Sequence, residues 1–568
     1  MRFFVLAVIC VGMSLSAAPV HAQLLTVGDV DFGLTESFYA DWHRDYRVQI
    51  GEKTYDYVDL KNRLNLTARA RSWQAGLRLD TAGFVGPGSG VDGADFQQQF
   101  LGGLDASSAN MDARVEKLYV RFRKGAFGIE GGDVYGCLGK GIALCVKKVD
   151  ELSTDTSLRG LKAYYNGQLF GATVLGGMSN IVNVGDKIEQ FLPDPNDFVG
   201  GAEVRVNPFY WMRISGHAGF LYDRQELGEI DLPGFVSSQD FGDDDKLRRE
   251  LLLTVGPSLS VTDIFGHGTL VLEYDAMLQT WANEDPDEPQ DTLVGEAVYA
   301  NATFNWGVVN MLAEVKWYES RLDEGASSVN FMGTKVQGPS DEVDFVYYGV
   351  LPPLEDENLL FRNDRPWDLV GGRTRVDVEI PPTRGGIAWA SYAHFIDTDG
   401  GPELTSEYKV QHVMGGWEQR LDDLSISANV SGGYRQEDFH FTKENMWHME
   451  GDVHLPIYGP HSFEVSVRRE SYEQPDFKVD YSLMQLVSTY SFAPWLGFSY
   501  TFEQSDQPGP NPATRGNFHS GEVIYRFMSG SYAKLFFGSS RGGLKCAGGM
   551  CRTFPPFDGV KGELTLRF

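Results

Sequence analysis

The chain has 568 residues, with 78 acidic against 49 basic side chains and a formal net charge of −29. So acidic a balance excludes nucleic-acid binding, which needs basic surface to replace phosphate counterions. Glycines number 65 and aromatic residues reach 13%, which suits a transmembrane barrel whose alternating strands hide their apolar face from a hydropathy window; a soluble all-β adhesin or solenoid is the alternative on composition.

In chain order, residues 1–22 read as a signal peptide. Arg2 supplies the positive start, residues 3–12 the apolar run, and Val20-His21-Ala22 a small-x-small cleavage site. The run is too short to span a bilayer as a helix, and no later stretch approaches the roughly 20 apolar residues a span requires. Residues 23–568 are expected to form a single domain, with neither a linker nor a repeat to divide them.

Period-two alternation then recurs almost without a break. Leu60, Leu64, Leu66, Ala68 and Ala70 share one face of an extended segment, and Lys61, Arg63, Arg69 and Arg71 the other. A second segment sets Lys117, Arg121 and Arg123 against Leu118, Val120 and Phe122. In residues 424–435, Leu424, Ile426, Ala428 and Val430 oppose Ser425, Ser427, Asn429 and Ser431. One face must be wet and the other in lipid. In lipid every backbone polar group must be paired, so the sheet must close. The expected fold is an all-β transmembrane antiparallel barrel with an even number of strands, roughly 18–26. The acidic runs 243–245, 284–288 and 355–357 read as extracellular loops. Asn166-Gly167 and Asn207-Pro208 read as periplasmic turns.

The last residues alternate strictly, with Leu564, Leu566 and Phe568 on one face. This resembles the assembly signal of bacterial outer-membrane barrels, with its glycine displaced to Gly562. Bacterial outer membrane is therefore the expected location, with membrane lipids and the barrel assembly machinery as partners.

Cleavage of the signal leaves four cysteines. Cys137 and Cys145 are eight apart, Cys546 and Cys551 five apart. Two local disulfides follow from an oxidising compartment. A metal site is the alternative, but neither pair has the C-x-x-C spacing or a nearby histidine.

Two constellations stand out. Lys61, Arg63, Arg69, Arg71, Lys117, Arg121 and Arg123 would form a basic arc on the lumen wall if their strands are neighbours, with Glu314, Glu379, Glu464, Glu470 and Glu563 putting acid elsewhere. His448, Glu450, Asp452 and His454 share one strand face as metal-ligand types, though about 7 Å between same-face neighbours is wide for one ion. Inward polar residues account for them as well. No cofactor is expected. Calcium at the acidic loops, bridging an anionic surface polysaccharide, is the open alternative. Nor is enzymatic activity: His519 and Ser520 are adjacent and face opposite sides, and no G-x-S-x-G elbow occurs.

Gly132-Asp133-Val134-Tyr135, Gly139-Lys140-Gly141 and Asp155-Thr156-Ser157-Leu158-Arg159-Gly160 follow in order. This stretch resembles a segment of an uncharacterised family of large outer-membrane barrels, porin- or exporter-like. The resemblance implies the fold and location already argued, and no substrate. The expected function is a channel or exporter for a polar solute or polysaccharide, with a periplasmic or surface polysaccharide as a partner. The alternatives are a structural or docking component of an envelope machine and a barrel-borne enzyme.

Overall fold

The computed structural model describes residues 25–50, 53–85, 111–149, 154–179, 198–222, 248–282, 292–320, 333–337, 343–347, 369–383, 385–397, 409–421, 424–439, 442–508, 515–541, 543–547, 550–554 and 557–567. Within them 24 antiparallel strands follow one another in chain order and close into a barrel. The first strand, Val30–Ile50, pairs with Lys53–Ala70 on one side and with the last strand, Phe557–Arg567, on the other. The seam runs from His43 opposite Gly559 to Thr35 opposite Arg567. Beyond Arg567 the short strand Leu25–Val27 folds back onto Val30–Phe32 and takes the same edge.

Burial is inverted relative to a soluble protein. Val174, Val413, Val430 and Trp447 are more than half exposed, whereas Asp80, His217, Thr254 and Asp275 are buried. Outward side chains at every second position make the lipid-facing band, and the residues between them line the lumen. The ends of the barrel also differ. At one end the turns are tight, as at Arg71-Ser72, Gly125-Ala126, Gly307-Val308 and Gly459-Pro460. Exposed Trp73, Phe127, Phe209, Trp306, Tyr458 and Trp495 ring that end, the aromatic girdle of a membrane interface. At the other end residues 86–110, 180–197, 223–247 and 321–368 separate consecutive barrel strands. Short periplasmic turns and long extracellular connections are the polarity of outer-membrane barrels.

One expected turn is displaced. Asn166-Gly167 does follow a strand end, but Asn207-Pro208 lies inside strand Phe198–Phe209, where the register shifts between Val206 and Phe209. Pro208 has no amide to give the ladder, so the strand bulges there and turns two residues later. The acidic runs, the signal segment and Phe568 lie outside the described residues.

The alternation makes a directional prediction. Val430 faces lipid well inside the apolar band, whereas inward Asn429 lies in register between Glu418 and Asp452. Val430→Arg should destabilise the barrel by about 2–4 kcal/mol in denaturant unfolding from lipid vesicles. Asn429→Arg, flanked by two carboxylates, should stay near the parent. Equal effects would contradict the assignment of faces.

Candidate functional site

Two barrel strands are short. Phe127–Val134 has 8 residues and Leu158–Asn166 has 9, beside 14 in Met111–Lys124. Between them the chain leaves the wall at mid-height and turns into the lumen. There it forms a hairpin of Gly136–Leu138 and Leu144–Val146, tied by the disulfide Cys137–Cys145, and a small ladder of Lys148–Val149 with Thr154–Asp155.

The residues of the family-like stretch build this departure. Gly132 has φ +100°, and a Cβ there would sit 1.9 Å from the Leu118 carbonyl oxygen, so only glycine fits. Asp133 accepts from the Leu118 amide at 2.6 Å and pairs with Arg159 at 3.4 Å. Lys162 Nζ donates to the Tyr135 carbonyl at 2.6 Å, and Lys117 binds the Tyr135 hydroxyl and lies over its ring. On the return path the Thr156 hydroxyl bonds both the amide and the carbonyl of Lys147.

The hairpin is seated on a dry part of the lumen wall. Leu138, Ile142, Leu144 and Val146 are fully buried against inward Leu175, Val199, Leu221, Leu252 and Met277. Wall glycines let it lie close: a Cβ at Gly201 would meet Leu138 at 2.6 Å, and one at Gly219 the Ala143 carbonyl at 2.7 Å. This corrects the expectation that the inward face is wet throughout. The signal was in the sequence. Runs such as Leu251-Leu252-Leu253, Phe220-Leu221-Tyr222 and Met277-Leu278 are apolar on both parities, as in strands covered on both faces.

At the tip of the hairpin the amides of Gly139 and Lys140 point at carboxylates of the wall. Gly139 N–H donates to Glu203 at 2.9 Å, and Lys140 N–H to both oxygens of Glu273 at 2.9 and 2.8 Å. Beside them His217 Nε2 lies 2.8 Å from Asp275 Oδ1, with both side chains fully buried. His217 and Asp275 sit on strands two apart. They meet because the strand between offers Gly256, whose Cβ would fall 2.8 Å from Asp275 Oδ1. His217, Glu273 and Asp275 each bring a ligand atom within 4.8 Å of the others, the one such group of three among the described residues. Sequence reasoning missed it because His217 comes from a strand two away from the one that carries Glu273 and Asp275.

The basic residues fall as follows. The strands of Arg63 and Arg121 are separated by one strand, and the register aligns Arg69, Gln74, Arg121, Glu130 and Lys162 in one row. Arg63 lies 3.3 Å from Asp80, which also takes Arg78; Arg121 lies 3.0 Å from Glu130. The bases thus alternate with acids along the wall. Arg71 is at the tight-turn end, paired with Asp29 at 3.6 Å. Arg69 and Arg123 are exposed near the same end. The Lys61 side chain is outside the described set.

Of the histidine–carboxylate face, His448 Nε2 meets His412 Nε2 at 2.8 Å, and its Nδ1 lies 3.9 Å from Glu450. His454 is directed to Glu464 at 4.0 Å, so the structure does not bring His448, Glu450, Asp452 and His454 to one point. Cys546 and Cys551 stand opposite each other in the register of the hairpin Gly543–Ala547 and Met550–Phe554. Leu564 and Leu566 lie on the closing strand, opposite Phe38 and Glu36.

No family model and no curated protein matches this chain. The fold is that of a bacterial outer-membrane barrel. Among solved structures it is similar to the copper transporter OprC (TM-score 0.43, 9% identity, 96% of this chain and 81% of that one). It is also similar to the siderophore receptor PirA of Pseudomonas aeruginosa (TM-score 0.46, 7% identity, 94% and 80%) and to OccK5 of the same organism (TM-score 0.38, 10% identity, 76% and 99%). At such identities the likeness is one of fold alone.

Two outcomes follow from the two cysteine-bearing hairpins. Leu144→Ala removes a fully buried side chain from its seat and should weaken docking by about 2–5 kcal/mol. Limited proteolysis near Gly139-Lys140-Gly141 should then accelerate while the heat-modifiable folded band persists; an unchanged cleavage rate would refute the seat. Thiol labelling of unreduced mature protein should find no free cysteine, because Cys546 and Cys551 are backbone partners in their hairpin, as Cys137 and Cys145 are in theirs. Two labelled thiols at 546 and 551 would remove the second bridge.

Proposed function

We propose that the protein is a channel or exporter for a polar solute or polysaccharide, its lumen narrowed at mid-height by the disulfide-tied hairpin. The observation that carries this reading is the way the hairpin is held. A segment that only filled space would need apolar packing, but this one is also fixed by Tyr135, Gly139 and Lys140 to charged residues of the wall. A hairpin so held, beside a wall of alternating bases and acids, supports the reading, because pores orient polar solutes by such an arrangement.

The basic arc is part of this proposal. Arg63 and Arg121 lie beside Asp80 and Glu130 on the inward face of the wall, which supports a local, transverse field. Cleavage after Ala22, assembly through the last strand, and polysaccharide as the partner of the acidic loops belong to the same reading.

The test is planar-bilayer recording. The parent should conduct, and joint replacement of Arg63, Arg69 and Arg121 by Ala should shift selectivity toward cations. The shift should be larger at 0.01 M salt, where the screening length is about 30 Å, than at 0.15 M, where it is about 8 Å. Unchanged selectivity in a folded variant would remove the arc from the mechanism. A parent that does not conduct would move the assignment to a structural or docking role in the envelope.

A further inference from the structure

We propose that His217, Glu273 and Asp275 form a binding site for a divalent transition-metal ion at the seat of the inward hairpin. An imidazole with two carboxylates is a ligand set suited to such ions, zinc among them. The three ligand atoms lie within 4.8 Å of one another. The His217–Asp275 contact of 2.8 Å is a hydrogen bond; two donors on one tetrahedral ion with bonds of about 2.0–2.2 Å stand about 3.4 Å apart, so binding an ion would open this contact by about half an ångström.

Two observations beyond proximity point to a ligand. First, His217 Nδ1 and Asp275 Oδ2 are buried without any hydrogen-bond partner, although their side chains are wholly excluded from solvent. A buried polar atom left unpaired is costly. An ion accepting the lone pairs of this group satisfies the Asp275 oxygen directly and fixes which imidazole nitrogen carries the proton. Second, the site is built rather than incidental. Gly256 is bare where any side chain would separate His217 from Asp275. The hairpin amides hold the carboxylates from outside, Lys140 N–H on Glu273 and Gly139 N–H on Glu203, as outer-shell donors do around metal ligands. Glu203 stands directly opposite His217 in register, so three carboxylates converge on one imidazole. Both oxygens of Glu273 accept from Lys140, yet a carboxylate has about four lone-pair sites and keeps some for an ion. A dication offsets the charge of the carboxylates where the hairpin shuts out water. The inference does not depend on whether the barrel conducts.

The experiment uses the full mature chain, folded in detergent and stripped with chelator. Titrated with zinc in the presence of excess magnesium, it should retain one equivalent through dialysis. His217→Gln and Asp275→Asn should each weaken that retention by more than about 100-fold, the upper range for losing only an outer-shell partner. His412→Gln, in the separate His412–His448 pair, should leave it intact. No retained ion in the parent, or equal retention in folded His217→Gln protein, would overturn the site and leave His217 as an imidazolium bridging the carboxylates. Should the His217 and Asp275 variants fail to fold, X-ray absorption of zinc-loaded parent and His412→Gln protein decides. A shell containing imidazole nitrogen in both supports the site, and an all-oxygen shell, as exposed acidic loops would give, refutes it.

Discussion

A bilayer offers no water to an unpaired amide or carbonyl, so the wall must account for every backbone group it exposes. The 24-strand meander does this by closure, with the first strand bonded to the last. The exception is where the chain leaves the wall after Val134. There Met111–Leu118 pairs with Trp73–Val85 and, among the described residues, with no strand on its other side. Side chains take over part of the missing ladder. Asp133 receives the Leu118 amide, and Arg159 donates to the Val115 carbonyl at 3.2 Å. The ion pair between Asp133 and Arg159 holds the two substitutes together.

That local solution lets a barrel this wide be narrowed. A strand pair of full height would keep the chain in the wall. Two short strands release it at mid-height, and the hairpin then finds an apolar seat on the strands that follow in sequence. Burial holds the hairpin along its length, and backbone amides fix its tip. The two work in different ways: dry packing is insensitive to direction, whereas the Gly139 and Lys140 amides specify where the tip stops.

The lumen elsewhere is charged but seldom singly so. Asp80 sits between Arg63 and Arg78, Glu314 between Tyr299 and Arg373, and Arg375 between Asp377 and Glu418. Adjacent strands bring inward residues close enough to pair, and pairing lowers the cost of keeping many charges in a confined, partly dehydrated space. An acidic chain thus need not have an acidic lumen.

By itself the sequence pointed to the class of fold, because period-two alternation with charge on one parity, if its apolar face lies in lipid, requires a closed sheet. It also pointed to the Cys137–Cys145 bridge, through short spacing in a chain bound for an oxidising compartment, and marked Gly132 to Gly160 as a unit without saying what the unit does. The tertiary structure decided what depends on register between strands distant in sequence. Arg373 against Glu314, the apolar seat under Leu138 and Leu144, and the meeting of His217 with Asp275 over Gly256 each require strands to be aligned within one residue. Alternation fixes which way a side chain faces, but not its height on the wall. Height is set by strand length, bulges and the barrel's closure, which emerge only when the whole sheet is assembled.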